Sequence, residues 1–384
     1  MFYLRAVRFA FSEEQEQLRR SVRRALEAHA TPARRRAAIE DGACDGALWR
    51  LLGAELGLAG LVIPERHGGA GLGWVELVAV MEELGHALAC VPVLSTTALA
   101  TAAILSCADD GQQAALLPPI AAGEATAALA WLEFGGKPAP GGIQATATDD
   151  GGDVILSGRK RHVVDGHSAD LLLVAARAPG SAGADGIALY AVPGDADGLR
   201  RQRLPTMDPT RPLAEVILDD VRLPGSLRLG GGGWPDLERA LQLAAVALAA
   251  EQVGGAQRCL ELAVDYAKVR HQFGRPIGSF QAIQHICADM FVQVEAARSA
   301  AWFAGWTAAE APAELDRVAP AAAACASDAF FACAGACIQV HGGIGFTWEH
   351  EAHLYFKRAR ASRALLAAPS HYRAQVAHLL LGEP

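Results

Sequence analysis

Three stretches of this chain gather donors, glycines and aromatic rings in a way that helix packing alone does not call for. In Tyr266-Ala267-Lys268-Val269-Arg270-His271-Gln272-Phe273-Gly274-Arg275-Pro276-Ile277-Gly278-Ser279-Phe280-Gln281, a helical pattern ends in a donor cluster, a glycine turn and a proline before another helical pattern begins. Arg270 and Arg275 suit a phosphate held by charge-assisted hydrogen bonds, and Phe273 suits a ring laid against it. The same residues also suit a helix C-terminus whose dipole is balanced by cations. In Gln339-Val340-His341-Gly342-Gly343-Ile344-Gly345-Phe346-Thr347-Trp348, glycines follow directly on a helical pattern. They either let backbone N–H groups approach a ligand or cap the helix and turn the chain. The third stretch, Thr206-Met207-Asp208-Pro209-Thr210-Arg211, is polar and turn-rich, and reads equally well as a surface turn.

Other polar groups point away from chemistry. His350 and His353 have only two residues between them and do not form the HExxH zinc pattern, and Glu349 and Glu351 beside them read as charged helix surface. Cys333 and Cys337 share a helix face among alanines and read as small core residues, not metal ligands. The glycines after His67 lack a following Gly-Lys-Ser/Thr, so no phosphate loop is implied. No metal is expected.

The elements that must carry these stretches fall into three blocks. The 384 residues are 52% hydrophobic and 20% charged with a net charge of −8, which excludes a disordered chain and gives no basic field for nucleic acid. Ser12-Glu13-Glu14-Gln15 has the form of a capping box, and Leu18, Val22, Ala25 and Leu26 follow at helical spacing. Further helical patterns cover 48–56 and 76–86. The uncharged run Ala87 to Ala108 carries Pro92, serines and threonines, and predicts a buried helix, a loop and a second buried helix instead of a membrane span. From about Gly123 the texture changes to short β-type runs at 153–156, 171–175, 187–192 and 216–218, separated by turn residues. After the glycines at 230–233, helical patterns cover 236–266, 280–306 and 320–340. The expected division is an α-helical domain over 1–123, a β domain over 124–226 and a helical bundle over 227–384. The first eleven residues lack the pattern of a signal peptide, and the eight cysteines lack a paired CxxC framework, so reduced thiols and a cytoplasmic location are expected.

Taken in order, these stretches resemble the acyl-CoA dehydrogenase family over essentially the whole chain. Phe11-Ser12-Glu13-Glu14-Gln15, Val62-Ile63-Pro64-Glu65-Arg66-His67-Gly68-Gly69-Ala70-Gly71, and Gly158-Arg159-Lys160 leading to Asp165-Gly166-His167-Ser168-Ala169-Asp170 match as well. The resemblance implies an α+β fold of an N-terminal all-α domain, a central β domain and a C-terminal four-helix bundle. It further implies a tetramer of two dimers, FAD at the interface, an acyl-CoA thioester as substrate and an electron-transfer flavoprotein or similar acceptor. The Ala-rich run from Val318 to Val340 is then expected to present a face to a neighbouring subunit. Arg270, Gln272, Phe273, Gln281, Gln339, Gly342 and Gly343 fall on positions that contact FAD held mainly by that neighbour.

The flavin-ring and catalytic half departs from the family pattern. Trp131-Leu132-Glu133-Phe134-Gly135-Gly136-Lys137 stands where the family has Thr-Glu-Pro and Ala-Gly-Ser-Asp, and Val164 stands where a hydroxyl meets the ring. The usual glutamate position falls on Leu366, and the minority position on the helix before Arg270 falls on Ala244; neither residue ionises. Glu251, two helical turns beyond Ala244, and Glu238, six residues before it, are the substitute carboxylates. Some family members acting on steroid side-chain or related thioesters are heterotetramers in which one subunit type lacks the base, and this sequence resembles that type. The alternatives are a homo-oligomeric enzyme using a carboxylate such as Glu251, and a CoA-ester-binding homologue without turnover.

Overall fold

The computed structural model describes residues 11–382 except Ala43 and Gly232. Residues 1–10, on which most of the signal-peptide expectation rests, lie outside the described residues. The first helix, α1 (Glu13–His29), begins as its capping box predicts: Gln15 donates its backbone N–H to Ser12 Oγ, and Ser12 N–H donates to the Gln15 side chain at 2.8 Å. There follow α2 (Pro32–Glu40), the short α3 (Gly46–Trp49) running into a π-helical turn, α4 (Trp74–His86), a π-helical segment Leu94–Ala100 continuous with α5 (Thr101–Cys107), and α6 (Asp110–Ala121). The run from Ala87 is therefore a turn and then one helix. Pro92 starts that helix by accepting from Thr96 N–H at 2.9 Å, whereas the sequence predicts a break between two helices there.

The middle third forms one sheet of β1 (Ala127–Ala130), β2 (Thr146–Asp150), β3 (Asp153–Val164), β4 (Leu171–Arg177), β5 (Ile187–Pro193), β6 (Leu199–Arg203) and β7 (Leu213–Pro224), in the order β1-β4-β2-β3-β7-β6 with β5 paired to β4. β1 runs parallel to β4, with Ala127 opposite Leu171, while β3 and β7 form a long antiparallel ladder. That ladder shifts register between Lys160 and Val163, where His162 takes a φ of +58°; the bulge re-aims the end of β3 toward the helices.

The last third contains α7 (Trp234–Val269), a hairpin of β8 (His271–Gln272) and β9 (Arg275–Pro276), α8 (Gln281–Glu310), α9 (Leu315–His341), α10 (Ala352–Ser362) and α11 (Pro369–Leu381). Most of the Ala-rich stretch of α9 from Val318 to Val340, expected to present a face to another subunit, turns inward: Ala322, Ala326, Ala329, Phe330, Cys333, Ala334 and Cys337 are buried within the chain's own bundle, while Ala321, Ala332 and Gln339 stay exposed. The segment Pro312–Phe346 is long and apolar enough to cross a membrane by length and composition, yet most of it is inside the fold. α4 and α7 meet backbone to backbone: a Cβ on Gly85 would lie 1.9 Å from Glu251 O, and one on Gly254 would lie 1.8 Å from Glu82 O. This crossing fixes the height of Glu251 against the N-terminal helices.

Candidate functional site

Two loops meet at one end of the helical bundle. α7 ends at Arg270, whose N–H donates to Tyr266 O at 2.9 Å and whose carbonyl accepts from Ile277 N–H at 2.8 Å, clamping the hairpin. The hairpin turns through Phe273 (φ +52°) and Gly274 (φ +78°), the two-positive turn that matches strand twist. Asn-Gly normally fills such a turn. A phenylalanine at positive φ is strained, and Phe273 is 91% exposed, touching Phe280 edge-on at 6.1 Å between ring centroids. Arg275 lies over Phe280 at 4.1 Å. The second loop leaves α9 at His341, whose ring stacks on Tyr266 at 4.5 Å and so joins the two loops.

All seven residues assigned to FAD by resemblance are exposed here: Arg270, Gln272, Phe273 and Gln281 on the first loop, and Gln339, Gly342 and Gly343 on the second. A Cβ on either Gly342 or Gly343 would meet nothing within 4 Å, so the glycines face open space and not a packed neighbour. Exposed donors, a presented ring and bare backbone fit the adenine and pyrophosphate half of FAD.

The side on which the resemblance places the flavin ring is closed by side chains. Glu133 turns inward, accepting from Lys160 Nζ at 2.6 Å and from the backbone N–H groups of Gln144 and Ala145 at 2.9 Å. Phe134 turns outward, with the Arg161 guanidinium 4.9 Å from its ring centre. Burial pushes the Lys160 ammonium down to about 8, the charge and hydrogen bond of Glu133 pulling the other way. Trp131, Val164, Leu365 and Leu366 close on Leu99 and Leu129 around a gap of about 10 Å³, room for one water at most. Leu366, on which the resemblance places the usual base, is 6% exposed and belongs to the main apolar core; Ala244 is fully buried in the same core.

Glu251 is buried between two guanidiniums. Both its oxygens accept from Arg211, and Oε1 also accepts from Arg358 Nη1 at 2.9 Å. Arg358 continues to Asp208 Oδ2 at 2.8 Å and to Thr210 Oγ1, while Arg211 donates to Ser362 Oγ at 3.2 Å. Nearby, Ser95 donates to Asp165 Oδ2 at 2.6 Å; burial pushes that carboxyl up, against the pull of Ser95 and both arginines. The space beside this cluster is about 20 Å³. Glu251 has no substrate-sized cavity beside it and accepts from two arginines, an arrangement that suits a tether between Arg211 and Arg358. The Thr206–Arg211 stretch, readable as a surface turn, is instead an inward-facing arm, with Asp208 and Thr210 almost wholly buried. Nothing in its composition separates the two, because the partners that hold it inward sit 40 to 150 residues away.

A cavity of about 470 Å³ shares Trp131 and Leu366 with the closed gap at Val164 and lies between the N-terminal ends of α7 and α9 and helix α11, with Trp234, Glu238, Gln242 and Tyr372 among its other walls. Of the two substitute carboxylates, Glu238 and not Glu251 shares a cavity with Leu366. Burial and the neighbouring Asp316 charge push the Glu238 carboxyl up, against a hydrogen bond from Trp234. Among the described residues no group of three or more His, Cys, Asp or Glu is placed to hold a metal. Glu351, read as surface, is paired with Arg35.

The chain matches the acyl-CoA dehydrogenase N-terminal domain over residues 12–124, the middle domain over 128–221 and the C-terminal domain over 231–366. It is 39% identical to acyl-CoA dehydrogenase IpdE2 of Mycolicibacterium smegmatis, covering 93% of this chain and 96% of that protein. Among solved structures, a variant of the Tcur3481-Tcur3483 steroid ACAD aligns with a TM-score of 0.85 and 34% identity over 96% of this chain and 98% of its own. The ChsE4-ChsE5 complex of Mycobacterium tuberculosis aligns with a TM-score of 0.88 and 28% identity over 98% and 99%. With all three domains present in order, this chain belongs to the acyl-CoA dehydrogenase family of FAD-dependent oxidoreductases.

Proposed function

We propose that this chain is the base-lacking subunit of a heteromeric acyl-CoA dehydrogenase, holding the adenine and pyrophosphate end of an FAD whose ring sits in a second, related subunit. The observation that carries the reading is the pairing of an exposed nucleotide end with a flavin side filled by Trp131, Val164, Leu365 and Leu366. FAD, when bound, supplies the hydride acceptor for α,β-dehydrogenation of the thioester. The residues of this chain do the rest of their part without touching the reacting carbons. Arg270 neutralises pyrophosphate charge, Gln272, Gln281 and Gln339 hydrogen-bond the nucleotide, Phe273 lies against it, and Gly342 and Gly343 admit it to the backbone. The proton-abstracting carboxylate comes from the partner, because Leu366 and Ala244 cannot ionise. Two of the aligned structures carry two-protein names, one of them called a steroid ACAD, which favours a bulky acyl group and a two-gene assembly here. An electron-transfer flavoprotein is the proposed acceptor.

The test is an absorbance spectrum and a turnover assay with an artificial electron acceptor, on the purified chain alone and co-expressed with a second family member. The chain alone is expected to be colourless and inactive, and the co-expressed complex yellow and active. Near-stoichiometric FAD with turnover by the chain alone overturns the reading.

A further inference from the structure

We propose that Cys259 and Cys337 are an oxidative modification site, a dithiol that hydrogen peroxide converts to a reversible disulfide stapling α7 to α9 beneath the two exposed loops. This goes beyond the half-site reading and does not depend on what the loops hold. Two contacts with the same offset show α7 and α9 running in one direction: a Cβ on Gly255 would lie 2.4 Å from the Phe330 ring, and Tyr266 stacks on His341 at 4.5 Å. That register puts Cys259 level with the turn between Cys333 and Cys337, and all three sulfurs belong to one apolar core. Gly255, Ala256, Ala263 and Ala334 carry little or no side chain, so the helices press close there. Such a contact suits the short span of about 4.4 to 6.8 Å between the Cα atoms of a disulfide.

Cys337 is the sulfur placed to react. His341 Nδ1 lies 2.7 Å from the Cys337 carbonyl, and a carbonyl only accepts, so Nδ1 carries the proton. The same N–H reaches the Cys337 sulfur at 3.7 Å and favours its thiolate. A hydrogen bond from Cys259 adds to that of His341, and they pull the Cys337 thiol down to about 6 against burial. Burial pushes Cys259 well up, so it keeps the proton it donates, and pushes Cys333, which donates to Met290 O at 3.7 Å, up to about 12. Half-buried Cys287 on α8 packs against the same core and marks its side nearer to solvent. The Cys337 thiolate attacks one peroxide oxygen, the O–O bond breaks, and the released hydroxide becomes water with a proton from solvent. The Cys259 sulfur then attacks the Cys337 sulfenic sulfur, the S–O bond breaks, and the departing hydroxide takes the Cys259 proton to become the second water. The thiol pair gives up two electrons and the peroxide takes them. The new bond lies one turn before His341 and two turns before Tyr266, so it holds both sides of the ring stack that joins the loops.

The test treats the full-length chain with hydrogen peroxide under native conditions and maps its peptides without reduction. Neither flavin nor partner is added, so the result stands apart from that of the half-site test. A Cys259–Cys337 linked peptide that dithiothreitol reverses is expected. Cys259→Ala is expected to leave Cys337 as a sulfenic acid that dimedone traps, and Cys337→Ala to leave Cys259 a thiol; both place an alanine in a core already rich in alanine. His341→Phe, which keeps a ring against Tyr266 and removes the N–H, is expected to slow the crosslink about tenfold or more, because less of Cys337 is then thiolate. Hydrogen exchange at the Arg270 and Ile277 N–H groups is expected to slow in the oxidised chain. No linked peptide, a link through Cys333 or Cys287 instead, an unchanged rate in His341→Phe, or unchanged exchange at Arg270 and Ile277 each overturns the proposal.

Discussion

Lys160 Nζ lies 2.6 Å from Glu133 Oε1 inside the β domain, on the segment that in the family pattern lines the flavin. An inward glutamate needs a cation, and this lysine is wholly buried to meet it. The pair therefore locks the segment 131–137 onto β3.

The lock gives stability an unusual pH dependence. The lysine falls from an ordinary 10.5 to about 8 in the folded chain because burial disfavours its charge. Between those values the unfolded chain holds more protons than the folded one, so unfolding free energy rises with pH across about 8 to 10.5 on this account. Urea melts of wild type and Lys160→Met at intervals across that window check it. The variant should lose the upward slope.

Glu251→Gln leaves Arg211 and Arg358 facing each other with one anchor removed. Breaking a buried ion pair costs about 3 to 5 kcal/mol, to be read as a lower urea midpoint with an unchanged slope. If Glu251 is also a base, the same variant loses turnover of the assembled enzyme as well as stability.

Arg270→Ala should weaken FAD retention in the assembled protein by about 1.5 to 3 kcal/mol, the usual worth of a hydrogen bond to a charged group. Flavin titration of the assembly made with wild-type or variant chain measures it. Stability of the chain itself should not change, since Arg270 is exposed and its fixed contacts are made by its backbone.

Phe273→Asn should move two quantities in opposite directions. Asparagine tolerates positive φ, so relieving the strained turn should stabilise the isolated chain by up to about 1 kcal/mol. Loss of the presented ring should weaken flavin retention in the assembly. Melts of the chain and flavin titration of the complex separate the two effects.

The sequence is most readable where the cause is local. The Ser12 capping box places the start of α1 because both of its hydrogen bonds lie within one helical turn. β1, Ala127–Ala130, carries no strand signal: alanine has little β preference, and the segment is extended because β4 runs beside it. The buried face of α9 is not separable from an interface by sequence, because an all-round small-residue pattern is common to both and only the packing of α7, α8 and α11 distinguishes them. The two loops expected to hold the nucleotide stand out in the sequence by their glycines and arginines, and the Tyr266–His341 stack joins them. The inward arm at Asp208, Thr210 and Arg211 is not, since its partners are distant in sequence.

The crossing of Gly85 and Gly254 bears on how this chain can vary. Every other residue type carries a Cβ, and at either position that carbon would collide with a carbonyl on the opposite helix, which belongs to a backbone and cannot swing away. In a saturation library scored by cellular abundance, the two codons should show near-complete intolerance, alanine included, whereas the buried alanines around them should accept serine or glycine at some sites. Drift at one position is not rescued by any change at the other, so the pair behaves as two independent invariants and leaves no covariation signal, although the helices touch there more closely than at any ordinary contact.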